Sequence, residues 1–311
     1  MASELKHETV LLNEAVDALV TNEAGIYIDG TYGRGGHTRH ALARLSPLAR
    51  FIAFDKDPLA LQSAEQLAAS DSRFAIIHDS FATLAAHIET LGLTGQVDGV
   101  LLDLGVSSPQ LDDAGRGFSF MADGPLDMRM NNQSGQTAAQ WLNQADVDEI
   151  ALVLKEFGEE RFAKRIARAI VAARDETPLT TTAQLAALIA KANPSKEKGK
   201  HPATRSFQAI RIFINRELDD LALVLEQALQ VLKPGGRLVV ISFHSLEDRM
   251  VKQFIQRKEK GDPVPRHLPI RDDMVKRELK SLGKAVKASA DEVLRNVRSR
   301  SAIMRVAEKV A

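Results

Sequence analysis

The first hundred residues alternate short apolar runs with segments of helical periodicity. We predict strands where the apolar runs lie, over 25–29, 50–55, 74–78 and 97–103. Between them, apolar residues recur at the spacing of amphipathic helices over 37–45, 58–69 and 81–91. Because strands and helices that alternate in this way form parallel sheets with right-handed crossovers, the predicted fold class is α/β with a doubly wound sheet.

The alternation stops after residue 103, and a different pattern follows. Residues 104–136 are rich in Gly, Ser, Asp, Asn and Pro, which is typical of a long loop that carries function. Helical periodicity without strands then predicts helices over 140–143, 147–157, 160–174 and 183–192. An all-helical insertion in the sheet domain is the simplest explanation.

The sheet pattern returns in the last third of the chain. A long amphipathic helix is predicted over 217–232, where Lys-Pro-Gly-Gly ends it, and strands are predicted over 237–243 and 301–306. We therefore predict two domains: a discontinuous sheet domain, 1–112 with 207–311, and an inserted loop and helical domain, 113–206.

Composition limits the class of protein. Of the 311 residues, 44% are hydrophobic and 26% are charged, which is ordinary for a globular enzyme. The absence of cysteine excludes disulfides, thiolate metal sites and a cysteine nucleophile. No His/Asp cluster has metal-ligand spacing, so no metal is expected. The N-terminus lacks a signal pattern, and no apolar run reaches the roughly 18 residues that cross a membrane, so we expect a soluble, cytoplasmic protein without a membrane partner.

The net charge is zero, but the charge is unevenly distributed. Residues 155–216 contain 13 basic and six acidic residues, a net charge of +7, so the remainder of the chain carries −7. Four of the basic residues share one face of the predicted helix over 160–174: Arg161, Lys164, Arg165 and Arg168. This asymmetry is typical of a lobe that faces a polyanion, although a solvated surface would explain the four residues equally well.

The stretch 26–37 is the most informative of the chain. An apolar run ends in Asp29, and a turn with four glycines follows before a helical segment. A strand, a glycine turn and a helix N-terminus together indicate a nucleotide-type site, although such a turn also serves as a plain connection. The order Asp29-x-Thr31-x-Gly33-x-Gly35 differs from the G-x-G-x-x-G of dinucleotide sites. It resembles the D-x-G-x-G-x-G loop of class I S-adenosylmethionine (SAM) methyltransferases, with Thr31 in place of the first glycine.

An acidic residue ends the second predicted strand. Asp55 lies about 20 residues past the last glycine, where such folds place the carboxylate that accepts hydrogen bonds from the ribose hydroxyls. Capping of the next helix is the alternative role. Asp57 is the better candidate for the cap, because Pro58 follows it at the first helical position. Asp55 is then free for the ribose.

A second group of polar residues follows the fourth predicted strand. The strand ends in Asp103, and Ser107 and Ser108 come shortly after it. Acceptors of these types hydrogen-bond the N–H groups of an exocyclic amine, localise its lone pair and help it lose a proton as a methyl group is transferred. We therefore predict catalytic roles for all three. In the alternative, Asp103 caps the loop and contacts only the methionine portion of the cofactor.

Several long motifs resemble one family in particular. They are DGTYGRGGH, LLDLGVSSPQLDDAGRGFSF, DGPLDMRM, GEERFAKRIARAI, HPATRSFQAIRIFIN, PGGRLVVISFHSLEDR and RSRSAIMRVAE. Together they resemble the RsmH (MraW) family of bacterial 16S rRNA cytosine-N4 methyltransferases over about residues 5–310, most weakly over 260–295. The resemblance implies a class I methyltransferase fold with an inserted helical domain. It also implies SAM as methyl donor and a cytidine at the decoding centre of the small-subunit rRNA as acceptor.

The resemblance also assigns cofactor contacts. The Gly35–Gly36–His37 turn, together with Gly33, would hold the methionine end of SAM, and Asp55 the ribose. The remaining contacts are Phe81 beside the adenine, and Asp103 with Gln110 near the sulfonium. From the residues alone, Phe81 is equally well explained as a core aromatic after the third strand.

Substrate contacts are less defined. Base methyltransferases carry an aromatic where this chain has Gln110, so another ring must stack on a flipped cytosine. Phe118 and Phe120 are the candidates, and both are equally well explained as clamps on the core. His244, at the end of a strand, is a candidate for RNA contact or proton relay, with a structural histidine as the commoner alternative. Arg205 is a candidate for phosphate contact, with an interdomain salt bridge as its alternative.

Three other functions remain open at this point. The first is a SAM-dependent methyltransferase with a protein or small-molecule substrate. The second is a non-catalytic RNA- or SAM-binding protein of ribosome assembly. The third, a nicotinamide oxidoreductase, is disfavoured by the glycine spacing. The oligomeric state, monomer or homodimer, is not determined by the sequence.

Overall fold

The computed structural model describes residues 9–194, 201–261 and 276–310, and the chain divides into two compact units. The first, the sheet unit, comprises Met1–Gly105 and Leu218–Ala311. The second, the helical unit, comprises Val106–Glu217. No helix of the described residues is long and apolar enough to span a bilayer.

The strands belong to one sheet in the sheet unit. They are β1 (Ile26–Asp29), β2 (Arg50–Asp55), β3 (Phe74–His78), β4 (Val97–Asp103), β5 (Leu232–Ser242), β6 (Leu279–Ser281), β7 (Val286–Lys287) and β8 (Ile303–Lys309). Their order is β3-β2-β1-β4-β5-β8-β6, and β7 also pairs with β8. The first five strands are mutually parallel, whereas β8 runs antiparallel to β5. The α/β fold class with a doubly wound sheet is thus confirmed.

The helices follow the strands in the sheet unit and, with the loop between α5 and α6, make up the helical unit. They are α1 (Leu12–Leu19), α2 (Gly36–Leu42), α3 (Pro58–Ser70), α4 (Leu84–Thr90), α5 (Ser108–Asp112), α6 (Ala138–Gln144), α7 (Val147–Gly158), α8 (Ala163–Glu176), α9 (Thr182–Ala192), α10 (Thr204–Asn215), α11 (Glu217–Val231), α12 (Ser245–Lys260) and α13 (Ala290–Arg295). Two clusters of buried side chains pack on the sheet, one around Ile28, Leu102 and Val240, the other around Tyr27, Leu101 and Val239.

Because consecutive residues of a strand point to opposite faces, both faces of the central strands are buried. This burial on both sides explains why the strands read as continuous apolar runs. It also fixes the carboxyl ends of β1, β2 and β4 at one edge of the sheet, where Asp29, Asp55 and Asp103 are the last residues of their strands.

The helical unit has a core of its own. Trp141, Leu154, Ile166, Ile170 and Ile210 are buried in one cluster contributed by α6, α7, α8 and α10. Side-chain caps start three of its helices: Thr137 caps α6, Asp146 caps α7 and Thr181 caps α9.

Five helices were missing from the sequence prediction: α1, α5, α10, α12 and α13. Helices α5 and α13 have only five and six residues, too few for a periodic apolar pattern. The first turns of α1 and α10 have no side-chain cap, since Leu11 and Ala203 precede them. Helix α12 buries only four of its 16 residues, so its apolar stripe is narrow. Because α1 and α10 lack a side-chain cap and α12 lacks a broad apolar stripe, the local sequence gave no clear signal for these three helices.

Strand β5 and the unit boundaries also differ from prediction. Strand β5 starts at Leu232, before the Pro-Gly-Gly turn, because its pairing with β4 resumes after a register shift. The helical unit begins and ends outside the predicted range of 113–206. Asn215 explains the later end: its side-chain amide donates to Met128 O at 2.7 Å and accepts from Met130 N at 2.7 Å, which ties α10 to the loop of the same unit.

Candidate cofactor and methyl-transfer site

Asp29 anchors the loop that follows β1. Its carboxylate is buried and accepts hydrogen bonds from the Thr31 backbone N–H at 3.0 Å and from the Thr38 hydroxyl at 2.7 Å. The Thr31 hydroxyl donates to Asp29 Oδ1 at 3.2 Å and accepts from the Asp103 backbone N–H at 2.7 Å. Thr31, which replaces the first glycine of the expected pattern, therefore links the end of β1 to the end of β4.

The glycine turn leads directly into α2. Gly35 is the residue before the helix and has φ 71°, in the left-handed region that a Cβ disfavours. A Cβ on Gly35 would lie 2.6 Å from the Tyr32 ring, which is itself buried. A Cβ on Gly36 would collide with the Thr9 hydroxyl. The turn is therefore a tightly constrained backbone at the carboxyl edge of the sheet.

Asp55 and Asp57 have separate roles at the end of β2. Asp57 caps α3 by accepting from Leu59 N at 3.0 Å, as predicted. Asp55 accepts from Gly33 N at 2.7 Å and from Asp57 N at 2.8 Å, so it holds the glycine turn. Burial raises the pKa of Asp55 to about 6, against the lowering effect of these two hydrogen bonds. Its side chain is only half-buried, so its remaining lone pairs are accessible.

Phe81 lies after β3, at the start of a short 3-10 helix. The ring is half-buried and packs against the buried cluster around Ile28 and Leu102. Its Cβ is the second-nearest atom to the position of a Cβ on Gly30, at 3.2 Å. Phe81 is thus a partly exposed wall beside the loop, which is compatible with either of its predicted roles.

Asp103 is the last residue of β4 and carries an acceptor without a partner. Its Oδ1 atom is buried and receives no hydrogen bond from any residue that the structure describes. Burial raises the pKa of Asp103 well above its usual range, and the carboxylates of Asp29 and Glu247 add to the effect. A buried acceptor of this kind is costly unless a ligand completes it.

His37, in the first turn of α2, is a neutral imidazole next to Asp103. Burial lowers its pKa to about 4, and its Nε2 lies 3.0 Å from Val10 O. Because a carbonyl can only accept, Nε2 carries the proton and Nδ1 presents a lone pair. Nδ1 lies 3.6 Å from Asp103 Oδ2, so His37 is a close, uncharged neighbour of this carboxyl group.

His244 and Glu247 close the end of β5. His244 precedes α12, and its Nδ1 accepts from Glu247 N at 3.4 Å, while its Nε2 lies 3.1 Å from Glu247 Oε1. Glu247 Oε2 in turn accepts from Phe243 N at 2.9 Å. Nδ1 is thus engaged in the start of the helix, as the structural alternative predicts, whereas the buried Nε2 has no hydrogen-bond partner among the described residues.

The predicted residues of the 107–110 segment lie in the helical unit. Ser107 precedes α5, and Gln110 Oε1 accepts from its backbone N–H at 2.8 Å. Gln110 is buried, and its carboxamide oxygen holds the start of this helix through that hydrogen bond. Ser108 is half-buried, and among the described residues its hydroxyl has no hydrogen-bond partner.

The two candidate stacking rings differ sharply in exposure. Phe118 is only 6% exposed and lies in the core of the helical unit, 5.8 Å below the Arg116 guanidinium. Because a buried ring cannot stack on a base, the core-clamp alternative accounts for Phe118. Phe120 is half-buried, with its ring 4.6 Å from the His201 ring and 4.8 Å from the Phe207 ring. Phe120 is therefore more exposed than Phe118, although two rings pack against it.

Arg205 is partly used inside the helical unit. Its guanidinium donates to Glu159 O at 3.1 Å, at the end of α7, which satisfies a carbonyl that the helix leaves unpaired. Arg211 forms a bidentate pair with Glu217 at 2.8 and 2.9 Å. Both contacts are within one unit, so neither is the interdomain salt bridge proposed as the alternative.

Two contributors to the site were not singled out by the sequence. Thr31 stood out only as a departure from the glycine pattern, and its hydroxyl bridges two strands. Glu247 lies on a helix that was not predicted, and it acts through its charge on Asp103. Only the capping pattern of His244 followed by Glu247 three residues later signals that helix in the sequence.

The doubly wound sheet with this site at its carboxyl edge defines the class of protein: a SAM-dependent methyltransferase with the class I fold. Within that class, the chain belongs to the MraW methylase family, whose model matches residues 4–310.

Two curated relatives are similar over the full chain. One, from Alteromonas mediterranea, is named ribosomal RNA small subunit methyltransferase H; it is 58% identical over 310 residues, 99% of this chain and 99% of the relative. Another of the same name, from Shewanella oneidensis, is 56% identical over 312 residues, 100% of this chain and 99% of the relative.

Solved structures give weaker likenesses. An rRNA methylase from Streptococcus thermophilus has a TM-score of 0.39 at 11% identity, covering 96% of this chain and 92% of that one. A SAM-dependent O-methyltransferase from Thermotoga maritima has a TM-score of 0.38 at 10% identity, covering 95% and 62%. Because these scores lie below 0.5, the family assignment depends on the sequence matches.

Proposed function

We propose that this protein transfers the methyl group of SAM to the exocyclic N4 of a cytidine in 16S rRNA, at the decoding centre of the small ribosomal subunit. The observation that carries the proposal is the 56–58% identity, over the full chain, to enzymes named for methylation of small-subunit rRNA. The choice of cytidine N4 comes from the family that the motifs resemble. The unpartnered acceptor on Asp103 supports it, because an amine supplies N–H donors.

The residues at the sheet edge fit SAM. The glycine turn offers backbone without Cβ atoms, where the Gly35–Gly36–His37 segment and Gly33 would receive the methionine portion. The half-buried carboxylate of Asp55 has lone pairs for the ribose hydroxyls, and the Phe81 ring would lie along the adenine. Gln110 would complete the pocket near the sulfur. When bound, SAM supplies an electrophilic methyl group on a positively charged sulfur.

Asp103 is the catalytic residue in this proposal. The lone pair of a cytosine amine is delocalised into the ring, so an acceptor on its N–H groups must localise it. The Asp103 carboxylate would accept such a bond at Oδ1. With SAM bound, the positive charge on its sulfur would favour the charged form of Asp103. As nitrogen bonds to the methyl carbon and the carbon–sulfur pair passes to sulfur, Asp103 takes the amine proton.

The remaining contacts with the substrate are proposed from the sequence. The free hydroxyl of Ser108 and the backbone-bound Ser107 would add acceptors for the amine. Phe120 is the better of the two stacking candidates, because its side chain is half-buried whereas Phe118 lies in the core. His244 and Arg205 would contact RNA, beside the structural contacts that each already makes.

The raised pKa of Asp55 makes SAM binding pH-dependent. Two ribose hydroxyls need the carboxylate, which is present above pH 6 and is protonated as the pH falls through about 6. We therefore expect the SAM affinity to be full at pH 7–8 and about tenfold lower at pH 5. Isothermal titration calorimetry between pH 5 and 8 measures it. In Asp55→Asn, the component near pH 6 should be lost along with overall affinity. An unchanged dissociation constant between pH 5 and 7 in the wild type would refute the role of Asp55.

The site of methylation is tested by mass spectrometry of rRNA. Small ribosomal subunits from cells that lack this protein are incubated with purified enzyme and SAM, and the 16S rRNA is digested and mapped. One added methyl group on a decoding-centre cytidine, fragmenting as N4-methylcytidine, is the expected result. Tight binding of the subunit with no methyl transfer would instead support an assembly protein. Methylation of another position or of a protein would refute the proposed substrate.

A further inference from the structure

Four basic side chains lie on one exposed surface of the helical unit. Arg161 lies two residues before α8, and Lys164, Arg165 and Arg168 lie on its first two turns, all four exposed to solvent. We call this set of four residues the α8 basic face. The opposite side of α8 buries Ala163, Ile166, Ala167 and Ile170, so packing fixes the direction in which the basic face points.

The α8 basic face has no partners within the part of the chain that the structure describes. None of its four side chains makes an ion pair or a side-chain hydrogen bond to a described residue. Other basic residues of the same unit are used internally. Arg174 donates to Leu142 O, Arg205 to Glu159 O, and Arg211 pairs with Glu217. Of the described basic residues of the helical unit, these four and Lys191 on α9 lack such a partner, so most of the free charge lies on this one face.

Helix stability does not explain the arrangement. Lys164 and Arg168 are like charges four residues apart on the helix, where they repel each other. Lys164 and Arg165 also occupy the first turn, where the helix dipole disfavours positive charge. The last turn holds Asp175 and Glu176, which have the unfavourable sign, beside Arg174, which has the favourable one. Basic residues that destabilise the helix on which they lie are explained if they bind an anionic partner.

The chemistry of the face suits a phosphate backbone. Three of the four residues are arginines, whose planar guanidinium bonds phosphate oxygens through two parallel N–H groups. Lys164 and Arg168 are about 6 Å apart along the helix axis, so they can contact separate phosphates. The surrounding segment 155–216 has a net charge of +7, so the wider potential favours an extended polyanion over a single small anion.

We propose that the α8 basic face binds the phosphate backbone of the rRNA substrate. This inference rests on the proposed function, in which the substrate is an RNA. It adds to that function the surface that binds the RNA. The contacts would position the substrate without reading its sequence, because phosphates carry no base identity. They would also make binding strongly dependent on salt, through release of counterions.

The test compares two variants with the same change in net charge. The first replaces Arg161, Lys164, Arg165 and Arg168 by Gln. The control replaces four exposed lysines of the sheet unit by Gln: Lys252, Lys280, Lys284 and Lys287. Binding of a labelled single-stranded RNA is measured by fluorescence anisotropy between 50 and 300 mM KCl. Circular dichroism and thermal melting confirm that both variants are folded.

We expect the α8 variant to bind RNA roughly 10- to 100-fold more weakly at low salt, with a slope of log K against log salt that is shallower by about 3. The control should change the slope by less than about 1. In the transfer assay on small ribosomal subunits, the KM for subunits should rise, with the SAM dissociation constant unchanged.

Other outcomes separate this proposal from the proposed function. Equal slopes for the α8 variant and the control would overturn the role of the α8 basic face, whatever the wild type methylates. Loss of binding to polyglutamate with RNA binding intact would also overturn it, and would identify an acidic polypeptide as the partner. If the wild type transfers no methyl group to rRNA, the proposed function fails, and the slope comparison still tests whether this face binds RNA.

Discussion

Replacing Asp103 by Ala is expected to lower the rate of methyl transfer by about a thousandfold or more. An acceptor positioned on a reacting amine contributes about 10²–10⁴-fold, and here it must both localise the lone pair and take the proton. Among the described residues, Asp103 Oδ1 is the only buried carboxylate oxygen without a hydrogen-bond partner. The measurement is a single-turnover assay with methyl-labelled SAM and small ribosomal subunits, at saturating concentrations of both.

Three comparisons separate catalysis from cofactor binding and from folding. The SAM dissociation constant of Asp103→Ala distinguishes the roles: if saturating SAM restores the rate, Asp103 only holds the cofactor. Asp103→Asn keeps an acceptor but takes no proton, so it should also be slow. Because burial and the charges of Asp29 and Glu247 disfavour the Asp103 carboxylate, its removal is not expected to lower the melting temperature. A rate equal to that of the wild type would refute the assignment.

The sheet could be predicted from the sequence because its central strands are buried on both faces. Strands β2, β3 and β4 have the predicted bounds, and β1 differs by one residue. Their apolar runs arise from burial that the fold itself imposes. The start of β5 could not be predicted, since Lys233–Gly236 carries the signal of a turn while the strand resumes its pairing across it. Pairing partners far along the chain decided that outcome.

The acidic residues of the site were predictable and their environment was not. Asp29, Asp55 and Asp103 each end an apolar run, so position in the chain indicates them. The environment of Asp103, in contrast, is formed by groups that are distant in sequence. His37 lies 66 residues before Asp103, and Glu247 lies 144 residues after it. Which ring is exposed is likewise a property of packing: Phe118 and Phe120 are two residues apart, and only the first is in the core.

Gly35→Ala should have the second large effect on cofactor binding, because the glycine turn has little room for a side chain. Alanine at φ 71° is strained by about 1–2 kcal/mol, and its Cβ would lie 2.6 Å from the buried Tyr32 ring. Overpacking of this kind costs about 1–3 kcal/mol more. The turn must then move away from its position beside Asp55. We expect SAM affinity to fall by about 100-fold, measured by calorimetry, and the melting temperature to fall by several degrees.

Two other glycines provide matched controls, because both have positive φ without the collision. Gly33 has φ 56°, and its Cβ would meet nothing closer than 3.9 Å; Gly92 has φ 69°, with nothing within 4 Å. Gly92→Ala should cost about 1 kcal/mol of stability and leave SAM affinity unchanged. Gly33→Ala should weaken SAM binding by less than about tenfold, since its N–H to Asp55 is retained. If Gly35→Ala behaves like Gly92→Ala, then the Tyr32 ring yields, and close packing of the turn does not determine cofactor binding.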